Sequence, residues 1–164
     1  MSRREQGNGL LLTSLVMAIV LTIVPLPPML APLKPYWVAL VMIYWHLEAG
    51  RLRHLGQAFV LGLVVDLLTG SLLGMHALSL IILSYLLGRF RARIRFFPPW
   101  QQAAAILALL VNDRIVQLWI VVLADRGLPE WSWWLSPLVG VAIWPWLFLG
   151  LDALRQRQRL SRSS

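Results

Sequence analysis

The sequence has no cysteine and little charge: only 13% of its 164 residues are Asp, Glu, Lys or Arg. The missing thiols exclude disulfides, thiol nucleophiles and cysteine-ligated metals. Acidic residues number seven and histidines three, His46, His54 and His76. No H-x-x-x-H or H-E-x-x-H spacing occurs among them, so no metal site of that kind is expected. Gly70-x-x-x-Gly74 lacks the Lys-Ser/Thr that completes a phosphate-binding loop. Ser71 lies near His76, but no nucleophile elbow is present and no base-orienting acid is evident beside the histidine. These two residues read as polar groups at a turn. No catalytic residue, metal or cofactor is predicted, and the chain reads as a non-enzyme.

What fills the sequence instead is apolar. Hydrophobic residues make up 59% of it and the mean hydropathy is +0.70. Soluble domains carry about 25% charged residues, so an integral membrane protein is expected, with residues 1–164 forming one polytopic domain. The net charge of +8 does not signal nucleic-acid binding. Its arginines come in short clusters between apolar runs, the pattern of membrane anchoring, and no continuous basic face is left for phosphates. Arg3 and Arg4 before Leu10–Val24 imitate a signal peptide. No small-x-small site follows and further apolar runs do, so an uncleaved first helix is predicted.

A crossing of the ~30 Å hydrocarbon core takes about 20 apolar residues, or about 17 at the short end. Helices are predicted near 10–24, 36–49, 55–68, 75–90, 100–124 and 132–154. The prolines at 25, 27, 28, 32 and 35 end the first, and Pro145 is a kink point in the last. Charge parity divides Leu55–Phe90. Arg51 and Arg53 precede it; Arg89, Arg91, Arg93 and Arg95 follow it. Cytoplasmic loops collect Lys and Arg, so both groups belong on one side and the segment must turn, near Thr69–Gly74. Both termini are then cytoplasmic. Arg3, Arg4, Arg51, Arg53, the four arginines at 89–95, and Arg155, Arg157, Arg159 and Arg162 lie inside; Lys34 and Arg126 lie outside.

Three sets of residues stand out within this frame. Gly62, Asp66, Gly70 and Gly74 surround the expected turn, and Asp113 and Arg114 sit in the fifth helix. Counting residues places Asp66 and Arg114 near mid-membrane, where an unpaired charge is least tolerable. Asp66 is expected to pair with Arg114, to accept backbone hydrogen bonds freed at the turn, or to serve a ligand or proton. Ser14, Ala18 and Thr22 recur every four residues as a small stripe. With Pro35 and Trp37 they are candidates for packing a partner helix, the other reading being packing within the chain. The arginines at 89–95, Arg155 and Arg157 are predicted to anchor the cytoplasmic side on anionic lipid. Every-second-residue spacing aligns them only if the segment is extended.

In order and spacing the sequence resembles the MreD family of bacterial rod shape-determining proteins. The resemblance rests on Pro25-x-Pro27, Lys34-Pro35-x-Trp37, Tyr44-Trp45, Gly62-x-x-x-Asp66-x-x-x-Gly70-Ser71-x-x-Gly74, Tyr85, Trp100-Gln101-Gln102 and Trp144-Pro145-Trp146. It departs at Arg114, where the family has an apolar residue beside the aspartate. The resemblance implies an all-α inner-membrane protein of six transmembrane helices, similar in fold to the substrate-binding subunits of energy-coupling-factor transporters. It implies a non-enzymatic scaffold of the cell-wall elongation machinery that binds MreC, whose single helix crosses the same membrane. MreB, RodA and its transpeptidase are further implied partners, and a homodimer stays open. The runner-up is a vitamin-like small-molecule binding subunit of a transporter. It requires a polar outer cavity, whereas the outer turns, rich in Pro, Trp and Leu, offer few hydrogen-bonding groups.

Overall fold

A computed structural model describes residues 3–49 and 55–160. Among these residues there are six α-helices and no strand: α1 (Arg3–Ile23), α2 (Trp37–Ala49), α3 (Leu55–Thr69), α4 (Met75–Arg95), α5 (Pro99–Leu123) and α6 (Leu135–Leu160). Short 3-10 turns at Ala31–Leu33 and Trp131–Trp134 precede α2 and α6. Arg51, Arg53, His54 and Arg162 lie outside the described residues, as do the side chains of Arg3, Arg4 and Arg159.

The most apolar segments take the centre. Every residue of α2 from Val38 to Leu47 is buried. A helix apolar all round is stable only when neighbours cover every face, and α1, α4 and α6 do so. α3 and α4 form a tight antiparallel hairpin, and α5 joins α4 to α6. Pro98 and Pro99 open α5, where a missing N–H leaves no helical bond unmade. Away from this core, large apolar side chains face outward, among them Val16 and Met17 on α1, Leu67 on α3 and Trp119 on α5. α5 and the segment Trp131–Arg157 are long and apolar enough to cross a membrane. Gly9–Ile23 and α3 are shorter apolar helices.

Several elements differ from the sequence expectation. α4 continues to Arg95 and α6 to Leu160, so the arginines scatter around helices instead of aligning along extended chain. Arg91 turns inward, and its Nε donates to the carbonyls of His46 (2.8 Å) and Leu47 (3.1 Å). That places a cation on the C-terminal turn of α2, where carbonyls lack helical partners. Arg155 meets Glu48 at 3.4 Å. Arg89, Arg93, Arg95 and Arg157 are exposed. α3 keeps its expected bounds to within a residue, and its 15 residues span about 22 Å. Asp66 lies three residues before the end of α3, which puts it at one rim of the bundle and not midway through it.

Candidate functional site

Two hydrogen-bonded clusters of polar side chains lie at the end of the bundle where α1, α3 and α5 finish. The first cluster is the α3–α4 turn. Gly70 (φ 65°) and Gly74 (φ 96°) take left-handed conformations that a Cβ would strain. Gly74 is the N-cap of α4 and has no side chain to cover the first amides of that helix. Asp66 covers them from α3. Its Oδ2 accepts from the amides of Gly74 (2.8 Å) and Ala77 (3.4 Å), and its Oδ1 from the amide of His76 (3.0 Å). Ser71 Oγ also donates to Oδ1 (2.7 Å), and His76 Nδ1 lies 2.7 Å from the same oxygen. The carboxylate is 1% exposed and meets five donors. It is a helix cap supplied by a neighbouring helix, at the positive end of the α4 dipole.

This overturns one expectation. There is an acid beside His76 after all, namely Asp66. The trio still lacks the geometry of a nucleophilic relay, which needs serine and acid on opposite ring nitrogens. Here Ser71 Oγ and Asp66 both approach Nδ1, and Ser71 gives its proton to the carboxylate. Nor does Asp66 pair with Arg114; of the three roles expected for it, the structure gives the turn-satisfying one.

The second cluster surrounds Arg114. Its guanidinium donates to Gln117 Oε1 (3.2 Å) and Ser136 Oγ (2.8 Å) and lies 4.7 Å from the ring centre of Trp133. Gln117 in turn donates to Asp113 Oδ2 at 2.8 Å. Ser136 donates to the Lys34 carbonyl at 2.8 Å. Lys34 Nζ donates to the carbonyls of Thr22 and, at 2.7 Å, Val24, closing the C-terminus of α1. Partial burial pulls the Lys34 amine below its ordinary pKa. The network thus ties α5 to α6, and through Lys34 to α1.

Between these clusters lies a cavity of about 260 Å³, lined by Lys34, Tyr36, His76, Arg114, Trp133 and Ser136 among others. The turns expected on the outer side therefore do supply hydrogen-bonding groups, contrary to the sequence expectation. Pro and Trp shape the walls while polar residues from the helix ends point between them.

An apolar groove of about 300 Å³ runs along α1, α2 and α6, lined by Leu10, Ser14, Ala18, Trp37, Leu147 and Leu151 among others. Ser14, Ala18 and Trp37 thus share one feature. Thr22 and Pro35 instead line the polar cavity. Ser14 Oγ also accepts from Trp45 Nε1 (2.8 Å), and Ala18 is 2% exposed, so part of the small stripe packs α1 on α2.

Sequence reading did not single out Gln117 and Ser136. Asp113 and Gln117 stand four apart on one helix face, the spacing of a side-chain pair, and that signal was available. The Ser136–Lys34 link joins residues 102 positions apart and has no local signal.

Among the described residues the chain is helical, with an apolar exterior and two hydrogen-bonded clusters of polar side chains, the build of a helical membrane protein. The family model for "rod shape-determining protein MreD" matches residues 3–153. A rod shape-determining protein MreD of Haemophilus influenzae is 30% identical over 150 residues, covering 92% of this chain and 93% of that protein. The chain belongs to the MreD family. No solved structure matches it.

Proposed function

We propose that this protein maintains rod shape as a non-enzymatic scaffold of the inner membrane, and that it does so by binding the single transmembrane helix of MreC. The observation that carries the reading is membership of a shape-determining family along nearly the whole chain. The groove on α1, α2 and α6 supports the docking mode. It is apolar, and small residues let a helix backbone approach closely. MreB, RodA and its transpeptidase would join through the same assembly. Arg89, Arg93, Arg95 and Arg157 are free to meet anionic lipid on the cytoplasmic side.

In this reading the chain is one polytopic domain that crosses the membrane six times, with a helix order similar to the substrate-binding subunits of energy-coupling-factor transporters. The short helices α2 and α3 are tolerated because α2 is sheathed by protein and the C-terminal end of α3 meets polar groups. Single introduced cysteines test the topology, since the chain has none of its own. Ala31→Cys and Ser132→Cys should react with an impermeant reagent from outside. Gln57→Cys and Ser161→Cys should react only after the inner membrane is opened; external labelling at 161 would mean an odd number of crossings.

Depletion tests the function. Rod-shaped host cells should become round and wide, and wild-type protein should restore them. Normal rods after complete depletion, with no second copy of the gene, would refute the role.

A further inference from the structure

We infer that the cavity at the polar end is a binding site for an oxyanion, a carboxylate or phosphate group. Two cationic residues, Lys34 and Arg114, line it, and no carboxylate does. Asp66 and Asp113 stand behind the wall. Asp66 is occupied with the first amides of α4, and Asp113 Oδ2 accepts from Gln117.

Arg114 is held in place by uncharged groups; the adjacent Asp113 is linked to it through Gln117 and makes no ion pair with it. Gln117 and Ser136 take one N–H from each terminal nitrogen, and Trp133 stacks against the guanidinium. Gln117 is 1% exposed and Ser136 4%, so the clamp is rigid. Among the described residues no Asp or Glu forms an ion pair with Arg114. A guanidinium has five N–H donors, and two are used here. Lys34 likewise spends two of its three N–H groups on carbonyls.

A half-buried cation with no carboxylate paired to it directly is costly in an apolar chain. One fixed by uncharged side chains at a cavity is pre-organised for a planar or tetrahedral oxyanion. The volume of about 260 Å³ suits a small metabolite or a lipid headgroup, and the aromatic faces of Tyr36 and Trp133 would flank its apolar part. This site is separate from the α1–α2–α6 groove and does not depend on it.

The test uses the full-length protein in nanodiscs of phosphatidylcholine, with thermal unfolding as the readout. Sodium phosphate and sodium acetate are titrated against sodium chloride at matched ionic strength. A third series replaces part of the lipid with phosphatidylglycerol. A saturable rise in the unfolding midpoint with phosphate or acetate supports a free anion. A rise with phosphatidylglycerol alone supports a lipid phosphate. In either case Arg114→Gln should weaken the apparent affinity at least tenfold and Lys34→Gln several-fold, while Arg126→Gln, on an exposed loop, leaves it unchanged. If Arg114→Gln does not fold, Lys34→Gln carries the comparison. No saturable response in any of the three series overturns the proposal. So does an equal response in wild type, Lys34→Gln and, where it folds, Arg114→Gln.

Discussion

Asp66→Asn should destabilise the protein by roughly 3 kcal/mol, the cost of leaving one or two buried donors without acceptors. The carboxylate accepts with both oxygens: Oδ1 from Ser71 Oγ and the His76 amide, with His76 Nδ1 beside it, and Oδ2 from the amides of Gly74 and Ala77. An amide has one oxygen. Its NH2 would face donors on one side or the other, whichever way it is turned. The first turn of α4 would then lose its cap, because Gly74 has no side chain to replace it. Folded, monodisperse protein after extraction and the unfolding midpoint both measure the loss. Asp66→Ala should be worse, since it removes both acceptors. A near-wild-type midpoint for Asp66→Asn would mean that only one oxygen of the carboxylate matters.

Gly62→Ala should cost about 2–3 kcal/mol, in the range of overpacked cores, and Gly62→Val more. A Cβ on Gly62 would overlap the backbone nitrogen and Cα of Ala77 and lie 2.7 Å from the His76 carbonyl carbon. These are backbone atoms at the start of α4, so no side-chain rotation relieves the clash. α3 and α4 would have to separate. Separation also lengthens every bond to Asp66, one turn further along α3, so the two substitutions should not be additive. By contrast Gly56, in the same helix, has open space at its Cβ position, and Gly56→Ala should be neutral or slightly stabilising. Equal midpoints for Gly62→Ala and Gly56→Ala would contradict the close approach.

How far the sequence led depends on the range of the interaction involved. The break between α3 and α4 was legible because glycines and arginine clusters are local signals, each interpretable without knowing what packs where. The helical class followed from long apolar runs. Asp66 was conspicuous for the same reason, one carboxylate among apolar neighbours. Counting residues sets it near mid-membrane by assuming a full crossing, whereas α3 ends three residues after it. Its acceptor role depends on α4 returning beside α3. That return also brings His76 onto the carboxylate, and the sequence separation of ten hid the contact. Arg114 was noticed as an intramembrane charge, but its partners come from a turn of α5 and from the start of α6. The cavity has no local signal, since its walls come from five separated segments. Composition of the turns expected on the outer side misleads there, because the polar groups that line it sit mostly at helix ends.

Under the proposed function, the groove formed by α1, α2 and α6 receives the helix of MreC. Site-specific photo-crosslinking in living cells tests it most directly. A photoreactive residue at Met17 or Leu154, both exposed and lining the groove, should give an adduct with MreC. The same residue at Tyr85 or Leu67, exposed on α4 and α3, should not. MreC adducts from Tyr85 or Leu67 with none from Met17 or Leu154, at equal protein levels, would contradict it.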